Sequence, residues 1–222
     1  MFVRDYMTPN PAVVDPNVTF PEATSLMRKR KIRRLPVVDH ARLIGIVSEK
    51  DLLTNQPSPA TTLSIHEMYS LLERLRVRQM MTRPVFTVEG DCPVEEAARI
   101  MVEHKIGSLP VMESDKLVGI ITETDIFKVL VEVLGSQEGD SRISLLLPEK
   151  VGTLAKVASG IAEIGGNILA IVFTRKRGDL SREVMIKERG ADPNVLYRMV
   201  SDSGGSVLDI RSTARYQPRM FG

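Results

Sequence analysis

Two short stretches of the chain pair a hydroxyl with a carboxylate. Ser48-Glu49-Lys50-Asp51 and Thr122-Glu123-Thr124-Asp125 each place Ser or Thr three positions ahead of Asp. Each follows an apolar run, Leu43–Val47 or Leu117–Ile121, and so predicts the first turn of a helix after a buried strand. A helix N-terminus offers free N–H groups and positive potential, which suits an anion or a hydroxyl-rich ligand. A carboxylate one turn in can accept both hydroxyls of a ribose. The same spacing also makes a plain helix cap, and spacing alone favours the cap. The two readings are compatible, because a capped helix end can also hold a ligand.

A second candidate is the basic run Arg28-Lys29-Arg30-Lys31-Ile32-Arg33-Arg34. Arg28, Lys29 and Arg30 read as a solvated helix face. Arg33 and Arg34 stand just before the strand that starts at Leu35, where a guanidinium can grip phosphate bidentately. No aromatic residue interrupts the run, so nucleic acid is not the expected partner. Other chemistry finds little support. His40, His66 and His104 stand apart from any Cys or acid at metal or triad spacing, although His104 could face a cleft. Ser48 has no base partner in view. Cys92, the single cysteine, precedes Pro93 at a helix start where the dipole could lower its pKa, but a structural role is the expectation. No Gly-rich phosphate loop is present.

These residues sit in a duplicated frame. Gly45-Ile46-Val47-Ser48-Glu49-Lys50-Asp51 returns 74 positions on, as Gly119-Ile120-Ile121-Thr122-Glu123-Thr124-Asp125. The register holds without a gap from Val3/Val77 to Leu53/Phe127. Within the first copy, Ala12–Val14 is a strand candidate, and Thr19 with Glu22 has capping-box spacing. Ala23, Leu26 and Met27 then share a helix face. Leu35–Val38 and Leu43–Val47 are strands joined by a turn at Asp39–Arg42, the second strand predicted to be buried on both faces. Asn55–Thr62 reads as a loop. Ser64–Leu75 is a bridging helix, with Ser64/Glu67 as its cap and Ile65, Met68, Leu71, Leu72 and Leu75 on one face. The second copy opens its first helix near Pro93, with Ala97, Ile100 and Met101 inward, and its strands are Leu109–Met112 and Leu117–Ile121. Gly135–Asp140 reads as a linker, Arg175–Asp179 as a turn, and Thr213–Gly222 as a poorly ordered tail. Between linker and tail the pattern is βαββαβ, the split-βαβ plan of a ferredoxin-like sandwich.

The duplicated motifs, Leu35-Pro36-Val37-Val38-Asp39 with the Gly45–Asp51 stretch and their second copies, resemble a tandem CBS domain, or Bateman module, over about Met1 to Leu134. The resemblance implies a pseudo-two-fold pair with two clefts that bind adenosine compounds such as AMP, ADP or ATP. It assigns the ribose contacts to Ser48/Asp51 and Thr122/Asp125, and phosphate to Arg33 and Arg34. Where the first copy has Arg33 and Arg34, the second has Gly107 and Ser108. One cleft is therefore expected to favour a di- or triphosphate, and the other to be weaker or to take an uncharged tail. The stretch from about Ser141 to Arg215 resembles an ACT domain through its element order, through Pro148–Leu154 and through Gly165–Ile168. That resemblance implies side-by-side pairing of two copies and an amino-acid loop at Gly152, Thr153, Leu154 and Asn167. The family's Asp-x-Pro-Gly reads Glu149-Lys150-Val151-Gly152 here. The order CBS–CBS–ACT is similar to that of the AcuB group of acetoin-utilisation proteins.

The expected architecture is α+β, with repeat one at 1–60, a bridging helix at 61–76, repeat two at 77–135 and the third domain at 141–215. At 222 residues, 43% hydrophobic and a formal charge of +2, the composition is that of a globular protein with no call for a polyanion partner. The first residues show no apolar core of secretory length, and no apolar run approaches a membrane span, so a cytoplasmic location is expected. The reading that follows is a non-catalytic regulatory protein, without a catalytic cofactor, that senses adenine nucleotide and passes the signal to its ACT dimer or a partner enzyme. The competing reading is a dimerising scaffold with no nucleotide ligand.

Overall fold

The computed structural model describes residues 1–55, 64–134, 140–175, 181–202 and 205–212. The chain divides into two compact units, Met1–Phe127 and Lys128–Gly222. The first unit runs α1 (Val3–Tyr6), β1 (Thr8–Pro9), α2 (Phe20–Arg30), β2 (Arg34–Asp39), β3 (Arg42–Ser48) and α3 (Glu49–Thr54). It continues with α4 (Ile65–Arg74), α5 (Val77–Met80), β4 (Val88–Glu89), α6 (Val94–His104), β5 (Ser108–Glu113), β6 (Lys116–Thr122) and the start of α7 (Glu123–Val133).

Local chemistry sets the element ends. Thr19 accepts from the Glu22 N–H at 3.4 Å while the Glu22 carboxylate takes the Thr19 N–H at 2.8 Å, the reciprocal box expected. Lys31 (φ 54°) and Lys105 (φ 53°) stop α2 and α6 in left-handed conformations. Both hairpins turn on two left-handed residues, His40 and Ala41 in one, Ser114 and Asp115 in the other. That is the two-residue turn whose twist matches paired strands. The core of the first copy gathers Ala23, Met27, Leu35, Val37 and Val47, and that of the second Ala97, Met101, Leu109, Val111 and Ile121.

Each core is completed by the other copy's lead-in. Val3 lies fully buried among the second copy's core residues, and Val77 and Met80 among the first's. The backbone follows suit. Val3 N–H donates to Cys92 O at 2.9 Å, and Val77 N–H to Val18 O at 2.9 Å. Thr8 and Pro9 add a strand beside β6, opposite Ile120 and Gly119, while Thr82 bridges to Ile46. The two copies therefore exchange their first segments and cannot pack as independent domains.

Several expectations change. Ala12–Val14 yields a single bridge, Val14 to Val37, rather than a strand. Pro11 and Pro16 flank it and offer no N–H to a ladder. Pro93 takes the N-cap position of α6, one residue ahead of the first turn. Leu71 is 43% exposed and falls off the core face of α4, whose packing side holds Leu72 and Leu75. In β3 Gly45 and Val47 are buried but Ile44 and Ile46 only partly so; Ile44 packs at the margin of the core and Ile46 borders a cavity. Asp140 is no solvated linker residue: it is 1% exposed and takes an ion pair from Arg189 Nε at 2.8 Å. Residues 56–62 of the predicted loop, 135–139 of the linker, 176–179 of the turn and the 213–222 tail lie outside the described residues.

The second unit contains β7 (Ser141–Pro148), α8 (Thr153–Glu163), β8 (Asn167–Arg175), β9 (Ser181–Arg189), α9 (Pro193–Asp202) and β10 (Ser206–Ser212). Its antiparallel sheet has the order β10-β7-β9-β8. This is the split-βαβ arrangement that the element order predicts. Ile143, Leu145, Val184 and Ile186 from the sheet meet Val157, Ile161, Leu196 and Val200 from the helices.

The capping carboxylates carry a pH dependence. The Glu22 carboxyl is held below its ordinary value by the Thr19 N–H and then the Thr19 hydroxyl, and Glu67 by the Ser64 hydroxyl and then the Ser64 N–H. A lowered folded value means stability that is full above the ordinary glutamate range and lost as pH falls through the folded value. Denaturant midpoints measured from neutral to acid pH are expected to fall less steeply in a Glu22→Gln/Glu67→Gln variant than in the wild type.

Candidate functional site

The first unit holds a cavity of about 540 Å³ whose walls come from both copies. Arg33, Arg34, Ser48, Asp51 and Lys50 face it from the first copy, and Thr82, Phe86, Lys105, Gly107 and Ser108 from the second. Its size is that of an ordinary small-molecule site.

Ser48 is the N-cap of α3 and Asp51 the third residue of that helix. The Asp51 Oδ2 accepts from Ser48 N at 2.8 Å and from Ser48 Oγ at 2.6 Å, while Asp51 N donates to Ser48 Oγ at 3.2 Å. The cap reading is therefore realised, and it engages one carboxylate oxygen. Asp51 Oδ1 has no hydrogen-bond partner among the described residues. Thr122 and Asp125 repeat the pattern, with Thr122 N at 3.0 Å and Thr122 Oγ1 at 2.7 Å from Asp125 Oδ2. Asp125 is buried, at 6% exposure, whereas Asp51 is half-buried.

The arginines behave differently from each other. Arg33 lines the cavity and makes no ion pair among the described residues. Arg34 lines it too, but its Nη2 lies 3.6 Å from Glu123 Oε2 on the other copy. Residues 105–108 of the second copy, the counterparts of 31–34, wall the same cleft, so both arginines meet their repeat partners there. Lys50 and Lys105 add two cations that sequence reasoning passed over, and Phe86 adds an aromatic wall. The signal for Lys105 was available, because the repeat aligns it with Lys31 in the basic run.

His104 stays outside the lining but stacks on Phe86, with ring centroids 3.9 Å apart and planes at 23°. His40 is exposed and paired with Asp39, and His66 is exposed. The helix dipole does not lower the pKa of Cys92. Burial pushes its thiol up, and Glu96 and Asp91 add to the shift. Among the described residues no three His, Cys, Asp or Glu side chains gather as a metal site, and no helix is long and apolar enough to cross a membrane.

In the second unit Gly152 (φ 84°) forms the left-handed turn that starts α8, followed by half-buried Thr153 and Leu154. Asn167 is not beside them. It pairs with Arg189, at the end of the sheet where β7 begins, whereas the Gly152 turn follows Pro148, at the end where β7 stops. The length of α8, about 16 Å for eleven residues, separates the two.

Comparison with known proteins fits this geometry. The CBS domain model matches residues 3–57 and 77–132. The chain belongs to the CBS domain family. Its two CBS copies coincide with the two halves of the exchanged pair, and CBS domains are generally regulatory rather than catalytic. An uncharacterised protein of Methanocaldococcus jannaschii is 33% identical over 135 residues, covering 59% of this chain and 32% of that one. The chain thus spans about a third of that relative. CBSX2, a chloroplastic protein of Arabidopsis thaliana, is 30% identical over 160 residues, covering 63% of this chain and 67% of that one. Its structure in complex with AMP superposes with a TM-score of 0.51, over 60% of this chain and 99% of that one. A Vibrio cholerae protein assigned to acetoin utilization (AcuB) is 35% identical with a TM-score of 0.50, over 60% of this chain and 93% of that one. The family match ends at residue 132, ahead of β7.

Proposed function

We propose that this protein is a non-catalytic regulator that binds an adenine nucleotide in the cleft around Asp51. The observation that carries the reading is Asp51, one carboxylate oxygen unengaged, lining a two-copy cavity that also holds Arg33, Lys50 and Lys105 without acid partners among the described residues. A carboxylate acceptor beside several cations suits a ribose joined to phosphate, and CBSX2, similar in sequence and fold, was solved with AMP. Because the walls come from both copies, a ligand there favours one packing of the pair over another. Coupling of that kind is typically worth about 1–3 kcal/mol.

In this reading the second unit is an ACT-like module that pairs two copies and passes the signal to a partner enzyme. Its split-βαβ order supports that role. The likeness to the Vibrio cholerae protein supports acetoin metabolism as the setting. The test is calorimetric titration of the full chain with AMP, ADP and ATP, beside an Asp51→Ala/Asp125→Ala variant. Micromolar binding that disappears in the variant is the expected result. No heat from well-folded wild type at millimolar nucleotide would leave the scaffold reading in its place.

A further inference from the structure

Arg34 is where the two copies meet unequally. It leaves the first copy beside Ser48, its partner in the β2–β3 ladder, and its guanidinium ends 3.6 Å from Glu123, the first residue of α7. The path runs over Gly107. A Cβ built there would lie 2.0 Å from Arg34 Nη2 and 2.7 Å from Glu123 Oε2. The repeat aligns Gly107 with Arg33 and Ser108 with Arg34. The mirror-image pair, Ser108 with Glu49, has no cation to offer. The absent side chain at 107 therefore makes room for an ion pair on one side of the pseudo-two-fold only.

That pair is open to exchange. The side chains of Arg34 and Glu123 are 23% and 55% exposed, and ion pairs so open to water are weak. A phosphate, by contrast, takes a guanidinium through two parallel bonds. Arg34 already lines the cavity that Asp51 faces.

We propose that Arg34 is a contested cation: Glu123 holds it in the empty protein, and the phosphate of a nucleotide in the Asp51 cleft takes it. The proposal rests on the nucleotide reading above. It makes Glu123 an internal competitor against phosphorylated ligands, with no effect on a bare nucleoside. It also reports occupancy of the Asp51 cleft at the start of α7, the helix that carries Asp125.

The experiment is calorimetric titration of the full chain with AMP and with adenosine, in wild type, Glu123→Gln, Arg34→Ala and the double variant. Glu123 is exposed and Gln nearly isosteric, and circular dichroism checks that the fold is kept. Glu123→Gln is expected to tighten AMP about two- to fivefold, the worth of an exposed ion pair, and to leave adenosine unmoved. Arg34→Ala is expected to weaken AMP about tenfold or more, as loss of a charged hydrogen bond does, again sparing adenosine. The double variant should match Arg34→Ala, since Glu123 acts only through that arginine. Wild type that binds AMP with an unmoved or weakened Glu123→Gln would overturn the contest alone. Wild type that binds no AMP would overturn the nucleotide reading and the contest with it.

Discussion

Asp51→Asn is expected to weaken nucleotide binding by about ten- to a hundredfold and to leave the start of α3 in place, while Ser48→Ala does the reverse. The geometry separates the two roles because each uses a different oxygen. Asp51 Oδ2 is occupied by the Ser48 N–H and hydroxyl, at 2.8 and 2.6 Å, and an asparagine retains one oxygen for that duty. What it loses is the free Oδ1 and the charge. Hydrogen bonds to a charged group are worth about 1.5–3 kcal/mol, against about 1 kcal/mol for neutral ones. An amide nitrogen also donates, so both ribose hydroxyls would have to reverse. Ser48→Ala removes the hydroxyl from the box, which costs about 1 kcal/mol of cap stability, and it leaves the carboxylate facing the cleft. Calorimetry reads the first effect and denaturant unfolding the second. If both variants lose nucleotide equally, the box and the binding group are one feature and the division of labour is wrong.

What the sequence made legible was short-range or repeated. The capping boxes at Thr19, Ser48 and Ser64 lie within three residues of their partners, and all three form. The duplication fixed both pairs of hairpin strands, since one good reading served twice. The βαββαβ order was readable because glycines and Asp192-Pro193 punctuate it. Long-range pairing was harder. A repeat says that two segments are alike, but not which core each lead-in enters, so the exchange of α1 and α5 was hidden. The Arg34–Glu123 pair joins residues far apart in sequence, and its one visible trace was a glycine, Gly107, opposite an arginine in the alignment. The resemblance to ACT domains grouped Asn167 with Gly152, although the two lie at opposite ends of α8 in sequence. A helix that runs along the strands puts its two ends at opposite ends of the sheet. Leu71 shows the limit of periodicity: an apolar residue at helical spacing counts as core only if another element covers that side, and here it stays open.

The exchange supplies the other large expected effect. Gly45→Ala is expected to destabilise the first unit by about 1–3 kcal/mol, the usual range for overpacking, and Gly119→Ala to do the same. A Cβ at Gly45 would lie 2.4 Å from Met81 Sδ and 2.9 Å from its Cγ. At Gly119 the matching distances to Met7 are 2.2 and 3.0 Å. The methionines are the residues that each lead-in lays across the other copy's strand, so the glycines exist to let them lie flat. The decisive arm is a double-mutant cycle. In a Met81→Ala background Gly45→Ala should cost about 1 kcal/mol less, because contacting residues are coupled. An equal cost in both backgrounds would place the loss in the strand itself and not in the exchange. The same variant should also weaken nucleotide binding. Thr82, next to Met81, donates to Ile46 O at 2.8 Å and accepts from Ile46 N at 3.1 Å. The chain then passes through Pro84 to Phe86, all of it cleft wall. A bulky residue at 45 therefore shifts one side of the Asp51 site without touching any group proposed to contact the ligand, and its binding loss should follow its stability loss across a series Ala, Val, Leu.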